Sequence, residues 1–145
     1  MKSYSRTQLT DHSLLQVLAT RRALDRDTAA EFLADLGEVD DRKLYLPAAY
    51  PSMYLYCVHE LGMSEDTALK RIQAARAARQ FPAIFPAVAD GRLHLSAVVL
   101  LAPRLTADTA DELLAVAAHK TVAELKRALA DRFPQPDVPT WVEPI

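Results

Sequence analysis

Apolar residues along this chain recur mostly at steps of three and four, the spacing that lays a stripe down one face of a helix. From His12 to about Val39 the stripe runs through Leu14, Leu18, Ala29, Phe32, Leu36 and Val39. No Gly or Pro intervenes before Gly37. This predicts one long N-terminal helix. Leu24, Ala30 and Leu33 lie off the stripe, so the helix is expected to meet more than one neighbour, or a second subunit. Arg21 to Asp27 is highly charged and either faces water or breaks the helix.

Pro47 and Pro51 punctuate the next stretch, and Pro51 sits near the start of a helix carrying Met53, Tyr54, Tyr56, Cys57, Val58 and Leu61. Gly62 is the expected residue just past its end. Ser64 reads as an N-cap, with Glu65 and Asp66 in the first turn of a helix that runs to about Gln80. Phe81-Pro82 stops it. Shorter helices follow over Ile84 to Ala89 and Leu95 to Leu101. Thr106 is expected to cap a helix through Ala118, and Thr121, with Glu124 three residues on, a last one through about Arg132. Strand signals are weak. The expected fold is all-α, a long N-terminal helix plus a compact multi-helix bundle. Residues 1–11 read as a flexible N-terminus, 12–132 as the helical domain, and 133–145 as a Pro-rich linker or tail.

Composition narrows the function classes. With 145 residues, one domain is expected. Only three Gly are present, so no Gly-rich phosphate loop occurs. The longest apolar run, Leu95 to Pro103, is too short to span a bilayer. The N-terminus lacks an apolar signal segment, and a cytoplasmic protein with no membrane partner is the default. Cys57, the one cysteine, cannot form an internal disulfide. It and His59 lie two residues apart, about 200° around a helix, and so diverge. His12, His94 and His119 are isolated, so neither a metal site nor a cofactor is expected. No Gly-x-Ser-x-Gly occurs, and Ser52, Ser64 and Ser96 have helix-start positions to explain them. No catalytic constellation emerges, and the chain reads as no enzyme.

The most informative stretch is Tyr56 to Phe81, a helix, a Gly-containing turn and a second helix, which is the layout of a helix-turn-helix pair. The net charge is −2, but it is unevenly spread. Between Thr67 and Arg92 stand Lys70, Arg71, Arg76, Arg79 and Arg92 against Asp90 alone. Between Asp11 and Asp41 stand eight acids and three arginines. One reading makes Lys70, Arg71, Arg76 and Arg79 phosphate contacts on duplex DNA, with Arg42, Lys43 and Arg92 extending the patch. Against it, Glu65 and Asp66 occupy the turn where base-reading residues would sit. Ala74, Ala77 and Ala78 mark a face suited to close packing. The second reading therefore uses the arginines in internal ion pairs. It makes the chain a protein-interaction or homodimerisation module built on the long first helix and the Tyr45, Tyr50, Tyr54, Tyr56 segment. Those tyrosines equally suit the rim of a core. Trp141 in the tail is either unattached or docked on an apolar groove.

Several strings carry a family resemblance. Leu44-Tyr45-Leu46-Pro47-Ala48-Ala49-Tyr50-Pro51-Ser52, Leu61-Gly62-Met63-Ser64-Glu65-Asp66 and Arg71-Ile72-Gln73-Ala74-Ala75-Arg76-Ala77-Ala78-Arg79 are three of them. Ala89-Asp90-Gly91-Arg92-Leu93-His94-Leu95-Ser96, Leu101 to Thr106, and Arg132 to Pro139 are the others. Together they resemble the helical N-terminal region of bacterial HNH endonuclease-like proteins, over roughly Ser13 to Pro139. In that family a metal-bearing nuclease module follows, with clustered histidines and often Cys-x-x-Cys pairs. No such cluster is in this sequence, which stops at Ile145 where the module would follow. The resemblance thus implies a helical DNA-targeting or regulatory domain without nuclease activity.

Overall fold

The computed structural model describes residues 4–134, so the Pro-rich stretch from residue 135, Trp141 included, lies outside the described residues. Seven α-helices and no strand occur among the described residues. α1 spans Asp11–Asp41 without a break, so the charged run at 21–27 stays helical. Its N-cap is Thr10, whose hydroxyl accepts from the Ser13 amide at 3.1 Å. α2 is a single turn, Met53–Leu55, that passes directly into a π-helical stretch, Tyr56–Glu60. α3 is Glu65–Gln80, α4 Ile84–Ala89, α5 Leu95–Leu101, α6 Ala110–Ala117 and α7 Val122–Arg132.

α3 is the central element. It packs against α1, α2, α4 and α5, and α5 in turn meets α6 and α7. Its sequence explains the position. Ala68, Ala74, Ala75, Ala77 and Ala78 are buried, so α3 presents small side chains around about half of its circumference and neighbours approach on more than one side. Ile84, Leu101, Leu113, Leu125, Val98 and Cys57 are the largest fully buried side chains. No polar or charged residue is buried among the described residues.

Local chemistry sets the helix ends. Gly62 takes φ 72°, the left-handed conformation that glycine adopts at little cost. Ser64 then caps α3, its Oγ accepting from the Thr67 amide at 3.2 Å. Thr121 and Glu124 form the reciprocal capping box of α7. One end differs from the sequence expectation, and one matches it with a cap the sequence did not show. α6 starts at Ala110, not after Thr106, because Thr106 and Thr109 hydrogen-bond each other's backbone and hydroxyl groups in a closed turn. α5 is capped by His94, whose Nδ1 accepts from the Ala97 amide at 3.1 Å. Its Nε2 lies 3.1 Å from the Lys120 carbonyl oxygen, which ties α5 to the α6–α7 turn and places the ring proton on Nε2. Phe133 packs against the core beneath the Arg104 guanidinium, 4.7 Å from the ring centroid, so the domain extends one residue into the stretch read as tail.

Candidate functional site

The basic residues of the middle of the chain come together with acids. At the C-terminal end of α1, Glu38, Asp40 and Asp41 face the last turns of α3. Arg76 grips Asp40 with both arms of its fork, Nε to Oδ2 at 2.7 Å and Nη2 to Oδ1 at 3.1 Å. Arg79 reaches Glu38 at 3.0 Å and Asp41 at 3.2 Å. Arg42 holds the other oxygen of Glu38 at 2.6 Å. The hydrogen bond from Arg42, then that from Arg79, keeps the Glu38 carboxyl below the ordinary glutamate range. Lys70 pairs with Asp66 at 3.2 Å, and Arg92 with Asp90 at 2.8 Å. Arg71 has no carboxylate partner among the described residues and stands over the Phe32 ring, 5.0 Å from its centroid. Lys43, at φ 54°, likewise makes no ion pair among the described residues.

Of the seven cations proposed as a phosphate-contacting patch, Arg42, Lys70, Arg76, Arg79 and Arg92 therefore already hold carboxylates. These pairs are solvent-accessible, and each contributes little to stability. Their electrostatic effect is larger: five acids, Glu38, Asp40, Asp41, Asp66 and Asp90, lie within the patch and offset much of its field. The turn and cap of a helix-turn-helix pair are present, but α3 is enclosed by neighbours on several sides. The tyrosines form a core rim. Tyr45, Tyr54 and Tyr56 are partly buried against the core. Tyr50 meets Tyr56 edge-on, with ring centroids 5.6 Å apart, and donates its hydroxyl to Glu60 at 3.0 Å.

The sequence placed Leu14 and Leu18 on the stripe of the first helix that continues into Leu36. In the structure the first half of α1 projects past the bundle. Leu14, Leu15, Leu18 and Leu24 are 39%, 65%, 62% and 60% exposed. Within α1 the fully packed residues are Ala30, Leu33, Leu36 and Gly37, all in the second half, against α3 and α4. Eighteen residues, about five helical turns, separate Leu15 from Leu33 and Leu18 from Leu36. The core-facing side of α1 thus continues along its free half with no element against it. Leu15 lies off the stripe read from the sequence, on the side that continues into Leu33.

Among the described residues there is no group of three or more metal-ligating side chains, and no helix is long and apolar enough to cross a membrane. The fold and this surface define the protein as an all-α helical domain with a projecting apolar arm. No protein-family model matches the chain, and no curated protein or solved structure matches it. The likeness to the N-terminal region of HNH endonuclease-like proteins rests on the quoted strings alone.

Proposed function

We propose that this chain is a non-catalytic interaction module that pairs with a second copy of itself through the free half of α1. The observation that carries this reading is the exposed apolar arc on that half. Asp11, Leu14, Leu18 and Arg21 are spaced three, four and three residues apart, the spacing of a coiled-coil seam. An antiparallel pairing centred on Gln16 sets Leu14 of one copy opposite Leu18 of the other. The same register sets Asp11 opposite Arg21 at both ends. Neither Asp11 nor Arg21 has an ion-pair partner among the described residues. Apolar contacts are thus closed at each end by opposite charges, and a parallel pairing would instead stack Asp11 on Asp11 and Arg21 on Arg21. An isolated helix of about 15 residues is marginal in water, so the free half of α1 gains from such a cover.

Duplex DNA binding, the other reading, needs Arg42, Lys70, Arg76, Arg79 and Arg92 to exchange their carboxylates for phosphates. That exchange lowers the net gain from each contact, and the ion pairs therefore favour the interaction reading. Light scattering coupled to size exclusion, run beside anisotropy with a labelled duplex, separates the two. The expected result is a dimer that Asp11→Arg and Arg21→Asp each weaken and that the double variant restores. A monomer at high protein concentration, or steeply salt-dependent DNA binding by a monomer, overturns the proposal.

A further inference from the structure

Where α1 crosses α4 and the loop after it, the structure contains a cleft of about 480 Å³. Its size falls in the range of small-molecule sites. Phe32, Leu33, Val88 and Leu93 supply an apolar lining, and Arg22, Arg26 and Arg71 bring three guanidinium groups to it. Asp25 is the one carboxylate that lines it, and none of the three arginines lies within ion-pair distance of a carboxylate among the described residues. The arginines at the far end of α3 are all so paired. The Arg26 Nε is buried and has no hydrogen-bond acceptor, the one such side-chain atom among the described residues. A buried donor without an acceptor is uncommon in folded proteins.

Two further contacts fix the cations in place. A Cβ on Gly91 would lie 2.7 Å from the Arg26 Cζ, so the bare backbone of that turn forms the seat of the Arg26 guanidinium. Arg71 is stacked over Phe32. Both groups are thereby held beside the apolar lining before any ligand arrives, which lowers the ordering cost of binding.

We propose that this cleft binds a small amphipathic carboxylate, its head on Arg26 and Arg71 and its apolar body over Phe32 and Leu33. A planar carboxylate matches the guanidinium fork. Asp25 offsets one of the three positive charges and leaves two, so the cleft keeps a net positive charge for an anionic head. The cleft is independent of the α1 pairing surface, since its lining comes from one chain.

The test follows the backbone amide NMR spectrum during titration with phenylbutyrate and, separately, with the neutral phenylbutanol. Saturable shifts confined to amides around residues 22–33, 71 and 88–95 are expected for the acid, with the alcohol weaker by roughly tenfold or more. Arg26→Gln and Arg71→Gln should each weaken the acid by a similar factor and leave the alcohol unchanged. Equal affinity for acid and alcohol in the wild-type protein refutes anion recognition without relying on any variant. Absence of saturable shifts with the acid refutes the site.

Discussion

Leu18 offers the sharpest separation between a folding effect and an association effect. It sits on the free half of α1 with 62% of its surface in water. Leu18→Ala removes three carbons, worth about 2.4 kcal/mol at about 0.8 kcal/mol per buried CH₂. Only the part still exposed in the monomer remains to be buried by a partner, about 1.5 kcal/mol. In a symmetric pair the change occurs twice, so the dimer loses about 3 kcal/mol, roughly a hundredfold in dissociation constant. The monomer should barely notice, because Ala is at least as good a helix former as Leu and few core contacts are lost. Sedimentation equilibrium of wild type and variant, with urea unfolding as the control, reads both quantities. A dimer whose dissociation constant is unmoved by Leu18→Ala would refute the seam. A variant that loses association and stability together would show that Leu18 belongs to the core after all.

Three other outcomes follow. Gly37 lies inside α1, and an added Cβ would meet Ala75 oxygen at 3.6 Å and Ala75 Cβ at 3.9 Å, ordinary contacts. Gly37→Ala should therefore stabilise the fold by about 0.5–1 kcal/mol, read as a higher urea midpoint, through the helix propensity it gains. Glu38 has a lowered carboxyl because Arg42 and Arg79 hydrogen-bond it. With the folded value below the unfolded one, the stabilisation is present above about pH 4.3 and lost as pH falls through the folded value. Thus Arg79→Met should be less stable than wild type near neutral pH and should match it at about pH 2, in paired urea titrations. Burial, then the nearby Asp40 charge, pushes the Cys57 thiol up. Iodoacetamide should leave Cys57 unmodified in the native protein at neutral pH and alkylate it on unfolding, as mass spectrometry would show.

Much of the fold was legible because its punctuation is local. Gly62, Ser64, Thr121 and Glu124 act within one turn of their own positions, so their roles survive without knowledge of the tertiary structure. His94 did not announce itself, since a histidine cap depends on the ring turning a bare nitrogen to the helix. Thr106 reads as a cap, but its mutual hydrogen bonds with Thr109 close a turn first, and the helix begins only after Thr109. The stripe on α1 is a different matter. Periodicity shows that Leu14 and Leu18 share a face, but not whether the surface they would cover belongs to the same chain. Off-stripe Ala30 and Leu33 are packed together with on-stripe Leu36, while on-stripe Ala29 is exposed. For the cations, the order along the chain left phosphate contacts and internal ion pairs both open. Arg76 finds Asp40 across 36 residues of sequence, a meeting that only the packing of α1 on α3 creates.

In the proposed pair, the free half of α1 would also act as a ruler. In the antiparallel register centred on Gln16, each Arg26 stands ten residues from the midpoint, and a helix rises about 1.5 Å per residue. The two bundles would then begin about 30 Å apart along a shared axis. Their Arg26 clefts would be held at a fixed spacing by a rod with no hinge, since α1 carries no proline and its only glycine, Gly37, is buried at the bundle end. Such a dumbbell would sediment more slowly than a compact particle of the same mass, and two ligands displayed on it could engage only targets whose own spacing fits the rod.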